Sequence, residues 1–335
     1  MKRNRIMKIF LITPAILVCV VIVLFAMTYP ICRREMNLAR VRLSAGSSIL
    51  KTDHGDIEYA VEGVGKPVLV LHGAGGGYDQ GLWAGKVTLG TSGYRFISVS
   101  RFGYLRSTVP PKPSIQKQAA LYGDLLNYLH IDRVIVLGAS AGGPSATQFA
   151  NDYPDRCAAL ILVSAVSMAQ APGDKPPFYI GIIHLIQQSD YAYWIFAKFM
   201  RPVILSLMGV PARVLGHLTP EQRTLSQEML DIMHPMSRRY AGTINDGTMI
   251  EADGVSAGAI SAPTLIMHAR DDALVSYLHA ENAHRRIKQS KLILFETGGH
   301  GMLSRTNEIR GHVKDFLKGT PNSSSGEERG LALPS

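Results

Sequence analysis

Three residues that follow apolar runs, Ser140, Asp272 and His300, stand in an order that could carry nucleophilic chemistry. A serine hydroxyl is a weak nucleophile until a base takes its proton. An imidazole serves as that base when a carboxylate holds its tautomer and orientation. Ser140 lies in Val134 to Phe149, VIVLGASAGGPSATQF, which passes from a β-branched run through Gly138-Ala139-Ser140-Ala141-Gly142 into a small-residue helix beginning near Gly143. Strand, tight turn and helix in that order set a serine hydroxyl proud of a sheet, with glycines where a Cβ would meet backbone. The helix N-terminus behind it favours negative charge developing near Ser140.

The five-residue pattern needs its context, because G-x-S-x-G arises by chance in about one chain in ten of this length. A second copy, Gly254-Val255-Ser256-Ala257-Gly258, serves as a control. It follows Glu251-Ala252-Asp253 and leads into Ala259-Ile260-Ser261-Ala262-Pro263, with neither strand before nor helix after, so Ser256 reads as a loop serine. The acid and base come later in the chain. The apolar run Thr264 to His268 enters Ala269-Arg270-Asp271-Asp272-Ala273-Leu274-Val275, and both aspartates of that loop are open as the orienting acid. The next run, Leu292 to Phe295, enters Thr297-Gly298-Gly299-His300-Gly301, whose glycines leave the imidazole free to swing over the sheet.

Other chemistries have weaker support. The remaining histidines show no H-E-x-x-H or related spacing, and His268 with Asp271 and Asp272 is a poorer reading as a metal site than as part of the serine arrangement. Gly75-Gly76-Gly77 lacks the lysine and hydroxyl of a phosphate loop. No cofactor and no metal are expected.

These residues need a sheet to position them. Ser47 to Glu62 reads as a hairpin turning near Asp53-His54-Gly55, and Pro67 to Leu71, PVLVL, as a strand buried on both faces that ends in His72-Gly73-Ala74. Strands follow at Tyr94 to Val99, before Ser100-Arg101-Phe102-Gly103-Tyr104, and at Val134 and Ala158 to Val163, with helices at Ile115 to Leu129 and to about Tyr153. Alternating strands and helices predict a mostly parallel central sheet covered by helices on both faces. The alternation lapses near Ser167 and resumes at Pro263. The residues between are helix-like, rich in methionine and aromatics, and broken by Pro176, Pro177, Pro202, Pro211 and Pro235, as expected of a helical cap inserted over the site. Phe178, Tyr179, Tyr193, Trp194, Phe196, Met200 and Met208 read equally as an acyl pocket or as the cap's own core.

At 335 residues and 46% hydrophobic, the chain fits one large domain. Of its net charge of +9, the first 42 residues carry +7, so the domain is nearly neutral and nucleic acid is not an expected partner. Ile9 to Met27 holds no charge and, as a helix, spans roughly 28 Å, close to the hydrocarbon thickness of a bilayer. It reads as an uncleaved transmembrane anchor in preference to a signal peptide, whose apolar region is shorter. The very short N-terminal tail suggests the domain on the outer face. Cys19, Cys32 and Cys157 form no disulfide framework; Cys32 is juxtamembrane and open to acylation, and Cys157 reads as a core thiol. The expected organisation is a basic tail at 1–8, an anchor at 9–29, a linker at 30–46, a core at 47–167 and 256–318, a cap at 168–255 and a disordered tail at 319–335.

From about Ser47 to Leu317 the chain resembles a serine-type α/β-hydrolase with a cap. The resemblance rests on His72-Gly73 after an early strand, the turn at Ser140, the A-R-D-D-A-L-V segment and the G-G-H turn. It implies Ser140 as nucleophile, His300 as base and Asp272, three residues before Val275, as the acid. It also implies an oxyanion hole formed by the backbone N–H groups of Ala74 and Ala141. The expected function is cofactor-free hydrolysis of a lipophilic carboxylic ester at a membrane. The alternatives are cleavage of a C–C bond or a lactone on the same fold, and a tethered binding protein without catalysis.

Overall fold

The computed structural model describes residues 2–171 and 179–319. Eight strands form one sheet: β1 Ser48–Thr52, β2 Gly55–Glu62, β3 Lys66–Leu71, β4 Tyr94–Val99, β5 Val134–Ala139, β6 Cys157–Val163, β7 Thr264–Ala269 and β8 Ser290–Phe295. Their order is β1-β2-β4-β3-β5-β6-β7-β8; β1 and β2 pair antiparallel, β2 pairs antiparallel with β4, and every other pair is parallel. The hairpin therefore caps one edge of a parallel sheet. β3 and β5 are adjacent to each other at its centre, each an apolar run buried along most of its length.

Helices cover both faces. On one, α3 (Ile115–Tyr128), α4 (Gly143–Asp152) and α11 (Leu278–Arg286) bury residues such as Leu125, Phe149 and Ala283 against Leu69, Val136 and Ile266. On the other, α12 (Thr306–Lys318) lays Ile309, Val313 and Leu317 against Val68, Ile161 and Leu265. It is joined there by α2 (Tyr78–Leu89), a helix that its sequence hides. Gly81 and Gly85 break the apolar period, yet both sit where α2 presses on β4: a Cβ on Gly81 would lie 2.0 Å from Ser98 Oγ, and one on Gly85 2.8 Å from the Phe96 ring. Close approach, which glycine permits, replaces the usual apolar stripe.

Between β6 and β7 lie α5 (Ile180–Gln188), α6 (Asp190–Phe199), α7 (Arg201–Leu207), α8 (Ala212–Gly216), α9 (Pro220–Ile232) and α10 (Ser237–Asp253). α10 buries Met249 and Ile250 in the cluster of the sheet and α3, while α5 to α9 enclose a cluster of their own that includes Tyr193, Ile204, Leu230 and Met233, with Phe196 and Met208 packed against it. These aromatics and methionines thus build the insert's interior, while Met200 is exposed and Phe178 lies outside the described residues. Ser256 is an exposed loop residue past α10.

The expected linker at 30–46 is instead helix. α1 runs unbroken over Lys2–Ala45 and contains the long apolar stretch that could cross a membrane. Beyond that stretch Cys32, Met36, Ala39 and Leu43 recur at four- and three-residue steps and are buried, Cys32 and Met36 against Trp194 of α6 and Leu43 against Tyr78 of α2. Glu35 accepts from Trp194 Nε1 at 2.6 Å and pairs with Lys198; Arg40 reaches Asp190 at 3.2 Å. A basic, polar-looking segment stays helical because one face has a partner, a tertiary fact its composition does not announce. The burial of Cys32 also removes it from the exposed position that acylation needs.

Candidate active site

Ser140 stands directly after β5 with φ of 50°, a left-handed conformation uncommon for a residue with a side chain. The turn is tight because the chain has no room to relax. A Cβ on Gly142 would lie 2.3 Å from the Leu71 carbonyl oxygen, and one on Gly138 2.6 Å from Ala146 Cβ. The Ser140 carbonyl accepts from Val166 N–H at 3.0 Å, which ties the turn to the end of β6.

His300 follows β8 in a turn with positive φ at Gly299, Gly301 and Met302. Its Nε2 lies 3.0 Å from Ser140 Oγ, and its Nδ1 2.8 Å from Asp272 Oδ2. A carboxylate only accepts, so Nδ1 carries the proton and Nε2 is left to receive one from the serine. Asp272 is buried; its Oδ1 takes the N–H groups of Leu274 and Val275, each at 2.9 Å, and its Oδ2 also meets His268 Nε2 at 3.1 Å. Burial pushes its carboxyl up, but the charge of His300 and the hydrogen bonds from His268 and His300 outweigh that and hold it well below the usual carboxylate range. Asp271 does not touch His300. Its Oδ1 accepts from Gly298 and Gly299 N–H, each at 2.8 Å, and its Oδ2 from Arg213 at 3.2 Å, so it braces the turn that carries the histidine.

Ala74 and Ala141 flank the serine, both partly exposed. Ala141 follows it at the head of the turn leading to α4. Ala74 follows Gly73, where a Cβ would lie 3.2 Å from Ser140 Cβ. His72 is buried beside them, with Nδ1 2.7 Å from the Gly73 carbonyl oxygen and Nε2 accepting from Arg101 N–H at 3.1 Å. Burial, then the positive charge of Arg101, drives its pKa well below the ordinary value, so it is a neutral strut. Among the described residues no three His, Cys, Asp or Glu side chains converge as a metal site.

The insert reaches the site from two sides. The Gly209 carbonyl between α7 and α8 accepts from His300 N–H at 3.1 Å and Ala273 N–H at 3.2 Å. Gly75 N–H donates to Thr243 Oγ1 of α10 at 3.2 Å, and a Cβ on Gly75 would lie 2.8 Å from Met233 Cε. These contacts, and the Arg101–Asp246 pair between the end of β4 and α10, escape a reading by motif. The one available signal is Arg101 itself, a charge set directly against the end of a buried strand.

Residues 66–304 match the alpha/beta hydrolase fold family. The chain is 30% identical over 258 residues to an uncharacterised hydrolase of Bacillus subtilis, YcgS, covering 74% of this chain and 89% of that one. It is 24% identical over 274 residues to the 2-hydroxy-6-oxo-2,4-heptadienoate hydrolase of Pseudomonas putida, covering 76% and 90%. Among solved structures it is similar to an esterase from Exiguobacterium antarcticum, at 25% identity and a TM-score of 0.59, over 81% of this chain and 99% of that one.

Proposed function

Since the chain belongs to the α/β-hydrolase fold family, we propose that it is a serine hydrolase that cleaves a lipophilic carboxylic ester while held at a membrane by α1. The observation that carries this reading is the line of contacts from Ser140 Oγ to His300 Nε2 at 3.0 Å and from His300 Nδ1 to Asp272 at 2.8 Å. In this mechanism His300 takes the serine proton as Oγ attacks the ester carbonyl. Asp272 steadies the imidazolium, and the N–H groups of Ala74 and Ala141 receive the developing oxyanion. Collapse of the tetrahedral intermediate expels the alcohol, which takes the proton from His300. Water then adds to the acyl-enzyme by the same route and releases the acid. The apolar length of α1 supports an anchor.

Wild type, Ser140→Ala and Ser256→Ala, assayed with a fluorophosphonate probe and a p-nitrophenyl ester series, test both halves. Ser140→Ala should abolish labelling and turnover, and Ser256→Ala should leave them nearly intact. In the wild type kcat/KM should rise from acetate towards octanoate, since each acyl methylene buried on binding contributes about 0.8 kcal/mol. Labelling that persists without Ser140 would end the serine mechanism, and a flat series the lipophilic substrate.

A second reading, cleavage of a C–C bond beside a carbonyl, is favoured by the similarity to the Pseudomonas putida hydrolase. The same serine would serve. Turnover of a vinylogous diketone faster than of any ester in the series would select it.

A further inference from the structure

The guanidinium of Arg101 is 1% exposed, at the end of β4 and behind the His72-Gly73-Ala74 turn. Its Nε donates to the His72 carbonyl at 3.0 Å, its Nη2 to the Gly73 carbonyl at 3.4 Å, and its own backbone N–H to His72 Nε2 at 3.1 Å. The Gly73 carbonyl also meets His72 Nδ1 at 2.7 Å and Gly76 N–H at 3.2 Å. That carbonyl belongs to the same planar, trans peptide as the Ala74 N–H. Pinning the oxygen therefore aims the N–H the opposite way.

What holds Arg101 is not part of the sheet core. Asp246 of α10, in the insert, takes the guanidinium on both oxygens, on Oδ2 from Nη2 at 2.7 Å and on Oδ1 from Nη1. The Tyr104 hydroxyl donates to Asp246 Oδ2 at 2.6 Å, and the Tyr104 ring stands edge-on to His72 with centroids 4.5 Å apart. A buried ion pair is a poor device for stability, because desolvating both charges offsets most of their attraction. Here the pair spans two separate parts of the fold and ends on two consecutive carbonyls beside the nucleophile.

We propose that Arg101 and Asp246 are positioning residues for the oxyanion hole: Asp246 on the insert holds Arg101, and Arg101 fixes the Gly73–Ala74 peptide so that the Ala74 N–H faces Ser140. The inference rests on the reading of Ser140 as the nucleophile of an acyl transfer. It makes the carboxylate that α10 places at Arg101 a condition for stabilising the oxyanion, so the insert contributes to the chemical step as well as to the shape of the site.

The test is Asp246→Asn in the full chain, with active sites counted by fluorophosphonate titration. Loss of one oxyanion donor costs about a hundredfold or more in kcat, and a displaced donor less, so kcat per titrated site should fall about ten- to a hundredfold with KM within about threefold. A boronic acid, whose tetrahedral adduct places an oxygen in the hole, should bind more weakly by a similar factor. Asp79→Asn supplies the control, because Asp79 joins Arg239 of α10 to α2 by bonds of 2.8 and 2.9 Å without touching Gly73. It should lower thermal stability while leaving kcat per titrated site within about threefold. If Asp246→Asn does not fold, Tyr104→Phe removes one bond to the same carboxylate and should give a smaller loss of the same kind. An unchanged kcat per titrated site in the variant that folds would overturn the proposal. Turnover that survives Ser140→Ala would instead overturn the reading beneath it.

Discussion

Asp271 and Asp272 are neighbours on one loop, yet they point into different problems. Asp272 faces the imidazole and collects four hydrogen-bonding partners; Asp271 faces the backbone of the glycine turn and an arginine that is mostly exposed. In the proposed mechanism, removing the Asp272 charge leaves His300 free to adopt the tautomer that cannot accept the serine proton, and in a comparable arrangement that change lowers kcat by about ten-thousandfold. Removing the Asp271 charge loosens a turn but leaves the tautomer intact. Asp272→Asn should therefore reduce kcat by several orders of magnitude, and Asp271→Asn by about tenfold or less. Steady-state kinetics on one ester checks this, and equal losses in the two variants would contradict the assignment. The convergence of Ser140, Asp272 and His300 was legible because each residue follows a strand whose apolar run is unmistakable. Choosing between adjacent aspartates was not settled by the residues alone, since a shift of one position reverses which way a side chain points.

At the scale of elements, the strands and the helices with a clear apolar period were legible, while α2 and the second half of α1 were not. Both failures have one cause: their packing faces are satisfied by something other than a run of large apolar residues. α2 uses glycines for close approach. The outer part of α1 mixes arginines with Cys32, Met36, Ala39 and Leu43, and its partners are scattered along the chain, on α2 for Leu43 and some 150 residues away on α6 for Cys32, Met36 and Arg40. A consequence can be measured. Removing residues 1–27 deletes most of the apolar stretch but keeps the face that meets Trp194; removing 1–42 uncovers Trp194 and strips Glu35, Arg40 and Arg42 from their partners. Exposing one tryptophan-sized surface costs about 3 kcal/mol, which for a domain of this size is a fall of roughly 10 °C in Tm. The shorter deletion should melt near the full-length value and the longer one about that far below. Equal midpoints for the two proteins would mean that the docked helix contributes nothing to the fold.

For the whole molecule, the difference between a helix and a linker changes what the protein can reach. Twenty flexible residues would allow up to about 70 Å of travel. α1 allows none of it: Tyr191 of α6 touches Phe25 and Tyr29 and hydrogen-bonds Thr28 at 2.6 Å, so with α1 in a bilayer the insert lies against the membrane surface. Reconstituted into vesicles, the protein should hydrolyse a non-exchanging long-chain ester in its own bilayer and spare the same ester in separate acceptor vesicles, as fluorescence from a quenched ester can report. Comparable rates in both would contradict a rigid mount. Under the proposed anchoring, the unbroken passage of α1 into the domain would give the enzyme an address instead of a radius. Held so, it would sample what drifts past it in two dimensions, and the concentration it senses would be a mole fraction of the surrounding lipid.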